Sequence, residues 1–272
     1  MGGTARPPPG PRPFPTSTGR TMSEIRYEVS DGVAVVTLDA PARRNALTLP
    51  MAAELVAALD EADADHKVGA VVIGGGASFC AGADRAVLAA AGADPAEDEN
   101  FTNIEAIYQA FLRVGELRSP TIAAIRGAAV GAGMNLALAT DLRVVGSDAR
   151  LLSGFLRIGL HPGGGHFSLL ERTAGREAAA ALGLFGATIT GTRAVELGMA
   201  WTAVDDAAVD QTAFDLAAAA AADPELARRT VASFRRSTGN PGVSWDLGVE
   251  IERSPQMWSM RRKNATLRAS TS

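Results

Sequence analysis

The chain has 272 residues, of which 47% are hydrophobic and 21% charged, with a net charge of −4. That size accommodates one large domain or a domain with a small helical extension, and the charge balance leaves no electrostatic footprint for nucleic acid. No apolar run approaches the roughly 18 residues that span a bilayer, and the single cysteine, Cys80, excludes an internal disulfide and points to a reducing cytoplasm.

Residues 1–22 stand apart. Six prolines fall between Pro7 and Pro15, among Gly and Arg and almost nothing apolar. Such a segment buries no core and is expected to be disordered. Its prolines break the amphipathic helix that a transit peptide needs, so Met22 is read as the natural start and residues 1–21 as an upstream extension.

The folded part opens with strands over Ile25–Val29 and Val33–Leu38, joined by the hairpin signal Asp31-Gly32. Thr48 is placed to cap a helix carrying Pro50 in its first turn and Met51, Leu55 and Leu59 at helical spacing. Ala70–Ile73 reads as a buried strand. Residues 101–117 read as an amphipathic helix with Ile104, Ile107, Phe111 and Val114 on one face. Strands follow at Thr121–Ile125, Asp141–Val145 and Ala149–Leu152. Beyond about residue 163 the pattern is wholly helical, and Ala-rich from 212 to 222. Pro255 is expected to interrupt the last helix between Trp245 and Trp258, with Trp245 buried against another element or subunit. Residues 23–205 thus form a stacked α/β core, and residues 206–272 a helical region suited to an oligomer contact or a lid.

Two Gly/Ala stretches carry the chemistry. The first is Phe79-Cys80-Ala81-Gly82-Ala83-Asp84 and the second runs from Gly127 through Gly131, Ala132 and Gly133 to Asn135. Each follows a strand and leads into helix-like sequence, where backbone N–H groups lack intrahelical partners. Small residues let the backbone approach a ligand closely. The N–H groups of Ala83 and Ala132, converging on one oxygen, make an oxyanion hole for the enolate or tetrahedral oxyanion of a thioester or ester. A dinucleotide fingerprint is excluded, because its third glycine would fall at Leu136. Cys80 reads as a small buried side chain rather than a nucleophile.

Four segments in order resemble the hallmarks of the crotonase superfamily, the enoyl-CoA hydratase/isomerase fold. They are Arg43-Arg44-Asn45-Ala46-Leu47, Phe79 to Asp84, Gly127 to Asp141, and Gly159-Leu160-His161-Pro162-Gly163-Gly164-Gly165. A fifth, Ala194 to Ala200, is similar to that family's Ala-x-x-x-Gly-Leu-Val segment. The resemblance covers residues 23–235 and implies an α/β spiral of ββα units followed by a helical C-terminal region. It also implies a homotrimer or dimer of trimers and an acyl-CoA thioester as ligand. Coenzyme A enters as part of the substrate, with no separate cofactor, no metal, no nucleic acid and no membrane partner.

Carried onto this chain, the resemblance makes Ala83 and Ala132 the oxyanion donors. Arg43, Arg44, Ala46, Leu47, Ala81, Gly82, Ala83, Asp84, Arg85, Gly131 and Pro162 become candidate CoA- and substrate-binding residues. Arg44 and Arg85 read either as phosphate contacts or as solvated surface arginines. Asp84 reads as a loop-holding hydrogen-bond acceptor. The resemblance also exposes two departures. The two positions where family hydratases carry glutamates hold Asn135 and Phe155, and neither side chain can exchange a proton at neutral pH. His161, beside the glycine loop, is a candidate substitute base, with packing against Pro162 as the alternative, and His166 is read as capping or packing on the next helix. The sequence therefore supports two readings: a hydratase- or isomerase-like enzyme with relocated acid/base groups, or an acyl-CoA-binding protein without the chemistry.

Overall fold

A computed structural model describes residue 14, residues 20–237 and residues 244–271. Most of the Pro-rich extension, and with it the reading of residues 1–21, lies outside the described residues. Of its remainder, Phe14 sets its ring edge-on against Phe214 at 6.0 Å, and Arg20–Thr21 pair with Arg26–Tyr27.

In chain order the strands are β1 (Arg20–Thr21), β2 (Ile25–Ser30), β3 (Val33–Leu38), β4 (Ala70–Gly74), β5 (Thr121–Ile125), β6 (Ala128–Val130), β7 (Leu142–Gly146), β8 (Arg150–Leu152), β9 (Thr188–Thr190) and β10 (Thr202–Val204). The helices are α1 (Leu49–Ala64), α2 (Arg85–Ala93), α3 (Asp98–Glu116), α4 (Ala132–Leu138), α5 (His166–Gly183), α6 (Gly191–Glu196), α7 (Val209–Ala221), α8 (Pro224–Ser237) and α9 (Trp245–Thr271). The expected mixed α/β architecture with a helical C-terminal region is present.

Seven strands form one sheet in the order β1-β2-β3-β4-β5-β7-β10, and β6-β8-β9 form a second. The β2–β3 hairpin closes through Asp31 and Gly32, both at positive φ (50° and 77°), as its two-residue turn requires. From β3 to β10 the large sheet is parallel. Alternation along these strands sorts side chains onto two cores. Val36, Val71, Ile73, Ala123 and Ile125 face the larger core, together with α1 and α3. Val33, Val35, Val72, Ile122 and Ala124 face a smaller core, which α7 covers with Val209, Ala213, Phe214 and Ala217. Thr48 caps α1 by accepting from the Met51 N–H at 3.2 Å, and α3 buries the predicted face.

Two expectations for the C-terminal half are corrected. The segment beyond residue 163 is not wholly helical, because it contributes β9 and β10. Three residues are too few to show a strand's period of two, and both strands are defined by pairing with distant partners, Arg150–Leu152 and Val144–Gly146. Nor does Pro255 interrupt α9, which runs unbroken from Trp245 to Thr271. A proline removes one backbone donor. The turns around it stay helical because Val249, Gln256, Met257 and Met260 are buried and the helix packs along α2 and α5. Among the described residues no helix is long and apolar enough to cross a membrane.

Phe214 is fully buried between α7 and the sheet, so Phe214→Ala should cost about 3–5 kcal/mol of stability. Urea denaturation should therefore show an earlier midpoint with an unchanged slope.

Candidate active site

The two Gly/Ala stretches meet through short parallel bridges. Cys80 pairs with Ala129, and Leu47 pairs with Ala83. In the second bridge, Leu47 N–H donates to Gly82 O at 2.7 Å and Leu47 O accepts from Asp84 N–H at 2.9 Å. Ala83 lies between these two bonds, so its own N–H points to the opposite side, as alternation along a strand dictates. Across from it, Gly131 turns with φ 54° and Ala132 begins α4. The Ala132 N–H belongs to the first turn, where no intrahelical acceptor exists. Among the described residues, neither N–H donates to a backbone acceptor outside regular structure.

Close approach fixes the two loops. A Cβ added to Gly133 would overlap the Cys80 carbonyl and side chain, and one added to Gly82 would sit 2.8 Å from Val130 O and 3.7 Å from Ala132 N. Asn45 locks the arrangement from behind. It is buried in the left-handed conformation with φ 55°. Its side-chain oxygen accepts from Ala40 N–H at 2.8 Å, and its amide donates to Gly75 O and Ser78 O, both at 2.7 Å. Cys80 is fully buried, with Sγ 3.0 Å from Asn45 O, and burial pushes its thiol up to about 12. It is a packed side chain and not a nucleophile.

These loops border a cleft of about 490 Å³. Arg43, Arg44, Ala46, Ala81, Gly82, Ala83, Asp84, Arg85, Gly131, Ala132, Asn135 and Phe155 all line it. Leu47 is buried behind the wall, and Pro162 and His161 lie outside the lining. The His161 ring packs against Phe167 at 6.4 Å, and its Nδ1–H donates to Pro162 O at 2.6 Å. Arg43 is anchored, pairing with Glu24 at 2.5 Å and donating through Nε to Ala46 O at 2.9 Å. Arg44 and Arg85 are exposed at the rim. Asp84 lines the cleft as the cap of α2, accepting from Ala86 N–H at 2.8 Å. Asp141, at the far end of α4, is taken up by Thr121 and an ion pair with Arg235 at 2.7 Å.

The inner end of the cleft is formed by elements far apart in sequence. Ile104, Ile107, Tyr108 and Phe111 come from α3, and Gln256 from α9. The Tyr108 hydroxyl donates to Gln256 Oε1. Trp245 stacks on Phe111 at 6.3 Å and donates through Nε1 to Gly164 O at 3.2 Å. It is half-buried, against α3 and the glycine loop. Gly164, at φ 73°, has room for no side chain, because Phe111 and the Asn135 amide fill the space.

Asn135 is not an isolated amide. Its Nδ2 donates to Gly163 O at 2.9 Å, which turns Oδ1 toward His166 Nδ1 at 2.6 Å. An amide oxygen only accepts, so Nδ1 carries the proton. The other ring nitrogen, Nε2, then accepts from the Ser153 hydroxyl at 2.7 Å. Ser153 lines the cleft. Phe155 sets its ring edge-on to the imidazole at 5.0 Å. His166 is fully buried among neutral partners, and burial pushes it from its ordinary 6.5 down to about 3. The sequence reading gave His166 a packing or capping role and passed over Ser153, Asn45, Tyr108 and Gln256. The polar Asn135, Ser153 and His166 in an otherwise apolar neighbourhood were the available signal.

A family model for enoyl-CoA hydratase/isomerase matches residues 28–243. A probable enoyl-CoA hydratase of Mycobacterium tuberculosis, EchA14, is 40% identical over 242 residues, covering 87% of this chain and 92% of that protein. The 1,2-epoxyphenylacetyl-CoA isomerase of Escherichia coli is 35% identical over 241 residues, covering 86% and 89%. The crystal structure of an enoyl-CoA hydratase/isomerase from Xanthobacter autotrophicus Py2 superposes with a TM-score of 0.81 at 31% identity, covering 90% of this chain and 91% of that one.

The buried imidazole couples to stability with a defined sign. The unfolded chain takes up this proton near 6.5, while the native protein refuses it until about 3. Protons therefore favour the unfolded state across that window, and the stability present above pH 6.5 is lost progressively below it. His166→Gln should remove this component, giving a shallower loss of unfolding free energy between pH 6.5 and 3 in denaturant titrations. An acid profile parallel to the wild type would refute it.

Proposed function

The chain belongs to the enoyl-CoA hydratase/isomerase family, and from that premise we propose that the cleft binds an acyl-CoA thioester and shelters its carbonyl oxygen between the N–H groups of Ala83 and Ala132. One observation carries this reading. The Leu47–Ala83 bridge and the Gly131 turn leave two donors on facing loops of one cleft, without backbone acceptors among the described residues. Two such donors stabilise negative charge as it develops on the oxygen, each worth on the order of 10²–10³ in rate. The exposed Arg44 and Arg85 at the rim suit the phosphates of coenzyme A, and the apolar surface of α3 suits the acyl group. The chemistry of this reading is thioester polarisation, with hydration or isomerisation as its family outcomes.

The second reading is a non-catalytic acyl-CoA-binding protein. Asn135 and Phe155, at the two positions where the family's hydratases place carboxylates, favour it, as does the engagement of Asp84 as a helix cap. The lone free thiol of Cys80 suits a reducing cytoplasm under either reading.

Ala132→Pro separates the two. Proline at the first helical position removes only a donor that the helix does not use. Crotonyl-CoA carrying a ¹³C-labelled carbonyl should bind the wild type with its carbonyl band moved to lower frequency. The variant should bind within a few-fold and show the smaller shift of a single donor, with any turnover reduced about 10²–10³-fold. Binding with an unshifted band and no turnover would favour the second reading, and absence of binding would remove both.

The family reading extends to assembly, as a homotrimer or a dimer of trimers. Leu184, Phe185 and Trp201 are large apolar side chains that remain exposed in the single chain and that such an assembly would cover. Light scattering should return three or six times the 28.0 kDa chain mass, and a monomer would overturn this.

A further inference from the structure

We infer that Ser153, His166 and Asn135 form an acyl-transfer triad that hydrolyses the bound thioester through an ester on Ser153. The inference rests on the acyl-CoA reading of the cleft. Its own support is the hydrogen-bond chain. Asn135 Oδ1 accepts from His166 Nδ1–H at 2.6 Å, and Ser153 Oγ–H donates to His166 Nε2 at 2.7 Å. This is the order of roles in a nucleophile–base–orienter arrangement, which is recognised by geometry rather than by sequence position.

The tautomer matters most. Replacing the carboxylate orienter of such a triad with an amide fails when the amide presents its N–H₂ to the ring and forces the wrong tautomer. Here the Asn135 amide is pinned the other way, because its Nδ2 donates to Gly163 O at 2.9 Å. The ring therefore keeps its proton on Nδ1 and offers a lone pair to Ser153. Full burial keeps the resting imidazole neutral and lowers its affinity for a proton, so it takes the Ser153 proton only as the oxyanion forms alongside it.

The serine also stands in the right place. Strand β8 pairs with β6 so that Leu152 lies opposite Val130, and Gly131 N–H donates to Leu152 O at 3.2 Å. Ser153 follows directly and lies alongside the Gly131–Ala132 turn. A Cβ on Gly131 would lie 3.3 Å from the Ser153 carbonyl oxygen. Ser153 lines the same cleft as Ala83 and Ala132. Ser153 thus shares one cleft wall with the two backbone donors that acyl transfer requires beside a nucleophile.

The step balances without any further reagent than water. Ser153 Oγ bonds to the thioester carbonyl carbon as its proton passes to His166 Nε2, and the oxyanion forms against the Ala83 and Ala132 N–H groups. Collapse breaks the carbon–sulfur bond, and the His166 proton goes to sulfur, releasing coenzyme A as the thiol. Water then attacks the Ser153 ester, giving its proton to Nε2. That proton returns to Ser153 Oγ as the carboxylic acid leaves.

The test uses the full chain with crotonyl-CoA, octanoyl-CoA and phenylacetyl-CoA, whose binding is first measured by calorimetry. Free thiol is followed with a chromogenic disulfide, and acid-quenched protein is weighed by mass spectrometry and peptide-mapped. At least one probe should release thiol and leave an adduct of the acyl mass on Ser153. Ser153→Ala should bind that probe but lose the adduct and at least about 100-fold in thiol release. Binding without thiol release or adduct overturns the triad, as does an adduct mapping elsewhere or a Ser153→Ala variant hydrolysing at the wild-type rate. If none of the three probes binds, the acyl-CoA reading itself falls, and the triad with it. The wild-type adduct map decides the matter even if the variant fails to fold.

Discussion

The site depends on one packing constraint: the loops over 79–84 and 127–133 lie so close that a hydrogen atom is all that fits at Gly133, against the Cys80 carbonyl and side chain. In the proposed reading, two loop backbones held at that distance present the Ala83 and Ala132 N–H groups to one ligand oxygen without rearrangement. Preorganised donors of this kind stabilise developing charge because no reorganisation is needed at the moment of reaction. Asn45 extends the constraint. Its buried side chain satisfies Ala40, Gly75 and Ser78, so the loop behind the cleft is tied to the loop in front of it by hydrogen bonds that water cannot replace.

Around this fixed cradle the two positions that the resemblance marks as acidic hold an amide, Asn135, and a phenyl ring, Phe155. A carboxylate at the buried position 135 would need a partner for its charge. The amide needs none, and it satisfies Gly163 O and His166 at once. Phe155 completes the change by packing on the imidazole, so the inner wall carries hydrogen-bonding groups but no net charge.

The C-terminal helix closes the site from a distance in sequence. Trp245 and Gln256 on α9 reach the glycine loop and Tyr108, respectively, and α9 lies along α2, which begins at the cap Asp84. Cleft shape at the inner end is thus coupled to a helix that contributes nothing to the sheet. Burial of Val249, Met257 and Met260 holds that helix in place through Pro255.

The sequence determined the strands and helices with clear periodicity, and the order of the two Gly/Ala loops within them. It also marked the positions of Ala83 and Ala132, because small residues after a strand carry a local signal that needs no partner. It placed Asn135 and Phe155 by their departure from a recognisable pattern. Short β9 and β10 escaped it, since three residues show no period and pairing alone defines them. Only the tertiary structure joined Asn135 to His166 and Ser153, 31 and 13 positions from that histidine. A hydrogen bond between residues of separate segments depends on where those segments pack, and that distance is not written in any local stretch. For the same reason the sequence pointed to His161 rather than His166 as a base, while the fold leaves His161 outside the cleft lining and buries His166 against Asn135 and Ser153.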